Sequence, residues 1–376
     1  MKKIVISGAD VHDNSITARI AINKEEPETR IFSYTREGRK SMFDYLKFIA
    51  RKQGAERIVL AYEASSLGFG LCDEAQAGGI ECYVLAPTKM PRSEEQRKNK
   101  TDKRDAQKIL EQLRGYILAG NDLAKVWIPD IQSRDDREVV RMRLEVADKL
   151  TAARVQVRTL LKRNKAEKPQ WVGNAWTVSD CQWLRGLTEG GNDLAQGARI
   201  ALASLLRQIT SLEEEIKKLD GAIQTLATSE RYHAATAALI EEFDGVATLT
   251  AMVFLTEMGD LRRFRNRKKV GAYLGIVPSS SESGEDNDHK GHITCQGPAR
   301  VRKVLCQAAW ARIASNKEEK KVYARLVAKN PKKKKIATVA CMRRLSIRMW
   351  HRALEAQLQA GVYLDKELPQ TKQVAV

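Results

Sequence analysis

Four acidic residues have the types and spacing needed for phosphodiester chemistry on divalent cations. Asp10 ends a first predicted strand, and Glu63 ends another predicted over residues 57–62. Asp102 and Asp105 are three apart at the start of a predicted helix, so both project from one face. Strand ends that are distant in sequence meet when their strands lie side by side in one sheet. Four carboxylates gathered there would repel one another unless cations neutralised them, and such hard oxygen donors suit Mg²⁺. The chemistry expected uses two Mg²⁺ per site, one activating the attacking oxygen and one steadying the leaving oxygen. Each acid alone has an ordinary role: Asp10 in a turn, Glu63 on the surface, Asp102 and Asp105 as helix-start charges favoured by the dipole. Their joint placement argues for a site. Arg97, Lys98, Lys100, Lys103 and Arg104 crowd the pair, as expected where a phosphate approaches cations.

The whole chain carries a formal net charge of +18 over 376 residues, which suits a polyanionic partner. The basic stretch at 262–269, including Arg265, Arg267, Lys268 and Lys269, is expected to contact phosphate, as are the run at 332–335 and Arg300, Arg302 and Lys303. No apolar run is long enough to span a bilayer, and the basic-then-apolar start breaks at Ser7-Gly8-Ala9-Asp10, too early for a secretion signal. A cytoplasmic protein is expected. The six cysteines include no Cys-x-x-Cys pair, which fits reduced thiols better than a zinc site. His289 and His292 lie in a polar loop without a partner at metal-site spacing.

Strands are expected at 3–8, 15–23, 30–34, 57–62 and 81–85, with helices at 41–52, 67–77 and 103–118. Three early strands followed by alternating helices and strands suggest a mixed α/β sheet of the ribonuclease H type. Long helices follow. One apolar stripe opens at Val140, Leu144, Ala147 and Leu150 and runs to about Leu161. Residues 169–183 read as a Trp- and Gly-containing break. A heptad then runs through Leu202, Leu205, Ile209, Leu212, Ile216, Leu219, Ile223 and Leu226. It can pack within the chain or across a dimer, and the dimer is preferred. The third segment holds a helix pair around Phe243-Asp244-Gly245-Val246 and a Ser-rich loop at 279–284. The expected divisions are a catalytic domain at 1–125, a helical coiled-coil connector at 126–234, a mainly helical C-terminal domain at 235–360 and a tail at 361–376.

Three motifs then carry a resemblance. Gly8-Ala9-Asp10, Tyr62-Glu63-Ala64-Ser65 and the run Asn99-Lys100-Thr101-Asp102-Lys103-Arg104-Asp105-Ala106 resemble the Asp-Glu-Asp-Asp insertion-sequence transposases of bacteria. The second half is similar in order: Leu274-Gly275-Ile276-Val277-Pro278, Ser281-Glu282-Ser283-Gly284, Gly291-His292-Ile293-Thr294, Gly297, and Arg300 through Leu305. Asp244-Gly245-Val246-Ala247 resembles the family's helix-hairpin-helix turn, with Ala247 in place of a second glycine. The similarity covers about residues 3–350, with 165–200 unanchored. It implies a RuvC-like first domain, a coiled-coil connector and a C-terminal transposase domain. It also implies recombination of donor and target DNA guided by a structured RNA, with Ser283 as nucleophile. From chemistry alone, Ser279, Ser280 and Ser281 are equally eligible.

The expectation is therefore an Mg²⁺-dependent DNA recombinase acting as a homo-oligomer, dimer or tetramer, associated with the nucleoid when active. Two rivals are a junction nuclease using water and a nucleic-acid-binding protein without catalysis, whose binding would ignore Mg²⁺.

Overall fold

The computed structural model describes residues 2–89, 101–189, 194–281, 289–329 and 331–363. These form two compact units that divide between Ile128 and Pro129.

The first unit is built on five strands: β1 (Ile4–Val11), β2 (Ser15–Ile22), β3 (Glu28–Ser33), β4 (Arg57–Glu63) and β5 (Glu81–Leu85). Their order across the sheet is β3-β2-β1-β4-β5. The first three pair antiparallel as a meander, whereas β4 joins β1, and β5 joins β4, in parallel. Side-chain alternation gives the sheet two buried faces. Val5, Ala9, Leu60 and Tyr62 face one core with α1 (Arg36–Gln53) and α2 (Gly70–Ala77). Ile4, Ile6, Val59 and Ala61 face the other, which α3 (Asp102–Ala119) covers with Ile109, Leu110 and Leu113. Helix α1 begins five residues earlier than the apolar pattern predicts, because Thr35 caps it by accepting a hydrogen bond from the Gly38 backbone N–H at 3.2 Å.

Gly8 determines how closely α3 can sit on the sheet. A Cβ built there would lie 2.3 Å from the Leu110 backbone nitrogen and 2.5 Å from the Ala106 carbonyl oxygen. Only a residue without a side chain lets the helix backbone rest directly on β1.

The second unit is mostly helical. Helices α4 (Ile131–Arg163) and α6 (Gln196–Ala227) run antiparallel, with α5 (Val178–Glu189) packed beside them through Trp183 and Leu184. Leu202 and Ile209 at one end of α6 meet Leu150, Val157 and Leu160. At the other end Ile223 and Ala227 meet Val140 and Leu144. Part of the heptad seam therefore packs within the chain, while Leu205, Leu212, Ile216 and Leu219 stay half-buried. Helix α4 is long enough to present a matching stripe, and a neighbour in the same chain needs no second molecule. Helix α5 also corrects the break expected over 169–183, since its first turns lie inside it.

The same core continues into α7 (His233–Glu242), α8 (Thr248–Met258), α10 (Ala299–Ser315) and α12 (Lys334–Gln359), with α9 (Arg267–Tyr273) and α11 (Lys317–Lys329) at its side. Gly245, at φ +79°, turns the chain between α7 and α8, and a Cβ there would come 2.8 Å from Ala311 Cβ. The hairpin β6 (Pro278–Ser281) and β7 (His289–Ile293) replaces two expected loops. Residues 279–281 are strand, with Ser281 opposite His289, and His292 lies on the returning strand. No described helix is long and apolar enough to cross a membrane.

Candidate metal centre

The parallel register sets Ala9 of β1 opposite Tyr62 of β4, so the next residues, Asp10 and Glu63, end adjacent strands. Alternation turns both toward the face covered by α3, whose first turn carries Asp102 and Asp105. Thr101 caps that helix, its hydroxyl oxygen accepting from the Arg104 backbone N–H at 3.4 Å. Sheet register, the Gly8 contact and this cap together bring distant acids to one end of the sheet.

Asp10, His12 and Asp102 each offer a ligand atom within 4.8 Å of the others, the group among the described residues that could hold a metal ion. His12 Nε2 lies 3.3 Å from Asp10 Oδ2 and 3.5 Å from Asp102 Oδ1. The Asp10 side chain is only 12% exposed, whereas Asp102 is 54% exposed, so the group opens to solvent on one side. Burial raises the Asp10 carboxyl above its ordinary range, and the Asp102 and Asp105 charges push it further; His12 opposes them. Asp105 Oδ1 accepts from Lys108 Nζ at 2.7 Å. Its Oδ2 is buried without a hydrogen-bond partner among the described residues. An orphaned buried carboxylate oxygen beside two more acids and an imidazole is a donor set that fits a divalent cation. Asp105 and Glu63 lie outside the 4.8 Å group.

His12 was missed from sequence. The available signal was its position two residues beyond Asp10, which strand alternation carries to the same side.

The basic residues divide into several groups. Lys103 and Arg104 are exposed on the first turn of α3, while Arg97, Lys98 and Lys100 lie outside the described residues. Arg265, Arg267 and Lys268 are exposed, and Lys269 is half-buried at the start of α9. Earlier in the same stretch the cations are structural. Arg262 pairs with Asp260 at 2.8 Å, and Arg263 packs on the rings of Phe264 and Tyr273, its pKa lowered by burial. Arg300 pairs with Glu145 at 2.7 Å and Lys303 with Asp148, which ties α10 to α4. Arg302 donates to the carbonyls of Leu274, Gln296 and Gly297 at 3.0–3.1 Å, fixing the turn before α10. These three have intramolecular work that their charge alone did not reveal. Ser279 Oγ donates to the His292 carbonyl at 3.1 Å. Ser283 lies in the connection between β6 and β7, outside the described residues.

Comparison with known proteins gives this arrangement a family. A DEDD-type IS110 transposase profile matches residues 7–165, and a profile of the transposase IS116/IS110/IS902 family matches residues 237–324. The chain belongs to the IS116/IS110/IS902 family of transposases. Transposases are enzymes that cut and rejoin DNA, and the DEDD type implies a divalent metal. The transposase for insertion sequence element IS1533 of Leptospira borgpetersenii is 29% identical over 82% of this chain and 86% of its own length. The Sinorhizobium fredii protein y4qE, whose name marks it as a transposase, is 30% identical over 68% of this chain; the match spans 58% of y4qE. The transposase for insertion sequence element IS1328 of Yersinia enterocolitica is 28% identical over 28% of this chain and 32% of its own length.

Proposed function

We propose that this family member is the transposase of an insertion sequence and moves DNA by RNA-guided recombination with Ser283 as nucleophile. The observation that supports the metal-dependent chemistry is the convergence of Asp10, His12 and Asp102, with the orphaned Asp105 oxygen, on one end of the sheet; the serine and the guide RNA rest on the family resemblance. Asp10, Glu63, Asp102 and Asp105 would hold two Mg²⁺, with His12 as a positioning partner of Asp10 and Asp102. When bound, the cations supply charge neutralisation and Lewis acidity at a phosphodiester. The five-stranded sheet would then be a RuvC-like catalytic domain ending near residue 125. The connector would run to 234 and the serine-bearing domain to 360, with 361–376 as a tail.

Ser283 Oγ would attack phosphorus, lose its proton, and displace one sugar oxygen, which takes up a proton. The resulting phosphoserine ester keeps the bond energy, so a hydroxyl from a second strand can attack it and release the serine. Exposed Lys103 and Arg104 and the cations at 265–269 would hold donor and target DNA and a structured RNA. Because Ser283 and the carboxylates belong to different units, the working site would be assembled either by the chain folding back or, the preferred route, by another protomer of a dimer or tetramer.

A substrate nicked beside the cut tests this, since the short fragment diffuses away and traps the ester. A covalent protein–DNA species mapping to Ser283, and lost in Ser283→Ala, is expected. Cleavage with no adduct would make water the nucleophile and overturn the serine reading. RNA recovered with the purified protein and sequenced would test the guide.

A further inference from the structure

Residues 166–236 lie between the two regions matched by the family profiles, and they contain a site unused by the carboxylate chemistry. Its organiser is Asp180, fully buried at the start of α5. The Asp180 carboxylate accepts from Arg158 at 2.6 Å and from the Trp176 backbone N–H at 2.7 Å, with Lys168 Nζ 3.4 Å away. Trp176 is thereby held at φ +65°, in the left-handed region that a bulky side chain rarely adopts. Strain of this kind persists where the surroundings over-determine it, and it concentrates at binding sites. The Trp176 ring lies 5.0 Å from the Arg154 guanidinium and 5.1 Å from that of Arg158, which sit one turn apart on α4.

Beside the indole is an open groove of about 460 Å³, in the size range of small-molecule sites. Val155 and Lys162 form part of its wall. Val155 is 59% exposed, so the indole does not serve to bury it. Arg154 is fixed by Glu213 at 2.7 Å, yet its buried Nε has no hydrogen-bond partner among the described residues. The groove therefore offers an aromatic ring, an apolar wall and a lysine.

We propose that this groove binds single-stranded nucleic acid, with one unpaired base against Trp176 and Val155 and the adjoining phosphate at Lys162. A paired duplex presents base edges and a continuous backbone, whereas an unpaired base presents the flat face that an indole–arginine surface recognises. The site stands apart from the carboxylate reading and can fail or succeed without it.

The test uses the full-length protein and two labelled octamers, one of 5-iodouridine and one of 5-iododeoxyuridine, cross-linked by long-wavelength light. A cross-link to the peptide carrying Trp176 is expected, competed by unlabelled single strands but not by duplex. The octamer that reacts identifies RNA or DNA as the source of the base. Trp176→Ala should weaken octamer binding about tenfold, with Trp176→Phe retaining most of it, because base–aromatic stacking is of that order. Cross-links that avoid the Trp176 peptide in the wild-type protein would overturn the proposal. So would a folded Trp176→Ala protein that binds both octamers within twofold of wild type.

Discussion

Gly8→Ala tests whether packing in the first unit positions the metal centre. The added methyl would stand 2.3 Å from the Leu110 nitrogen and 2.5 Å from the Ala106 oxygen, both backbone atoms that no rotamer change can move aside. Relief to ordinary contact requires α3 to withdraw from β1 by about 1 Å, and overpacking of this kind costs about 1–3 kcal/mol. We expect about 2–3 kcal/mol, because two helical turns must shift together. Asp102 and Asp105 ride on the same helix, so they would recede from Asp10 by a similar distance, and a misplacement of about 1 Å can cost about 100-fold in activity. The assays are a urea melt and calorimetric titration with Mn²⁺. Gly70→Ala is the control, since nothing lies within 4 Å of its Cβ position. It should be neutral or stabilise by up to about 1 kcal/mol. A Gly8→Ala protein that melts and binds Mn²⁺ like wild type would refute the reasoning.

Two further outcomes follow from the second unit. Ile209→Ala should cost about 2–4 kcal/mol by opening a cavity between α6 and α4. Light scattering should show an unchanged oligomeric state, because that part of the seam packs within the chain; dissociation would assign the seam to a partner instead. Replacing the four lysines at 332–335, all exposed, by Gln should flatten the dependence of DNA affinity on salt by up to about 0.9 in log–log slope per lost phosphate contact. An unchanged slope would make the run a solvated surface.

The first unit was largely legible because its strands show clear periodicity and its turns are punctuated by Gly54 and Pro87. Asp10, Glu63, Asp102 and Asp105 could be tied to strand ends and a helix start from spacing alone. His12 was hidden because one imidazole after a strand carries no pattern until the opposing helix is known. Arg300, Arg302 and Lys303 stand out in the sequence only as charges; their bonds to α4 and to a turn stayed hidden, since charge counts do not reveal intramolecular partners. The β6–β7 hairpin was also illegible: its proline and single glycine are depleted in strands, and antiparallel pairing supplies what local sequence lacks. The seam of α6 was visible as a heptad, but a heptad specifies an apolar face and not which helix covers it.

We propose that the acids at the end of β1, the end of β4 and the start of α3 form one divalent-cation centre. Calorimetric titration of the full-length protein with Mn²⁺, wild type beside Asp10→Asn and Asp102→Asn, tests it most directly. Saturable binding in the wild type, lost or weakened at least tenfold in both variants while their urea melts stay cooperative, is the predicted result. Equal Mn²⁺ binding by wild type and both folded variants would contradict the account.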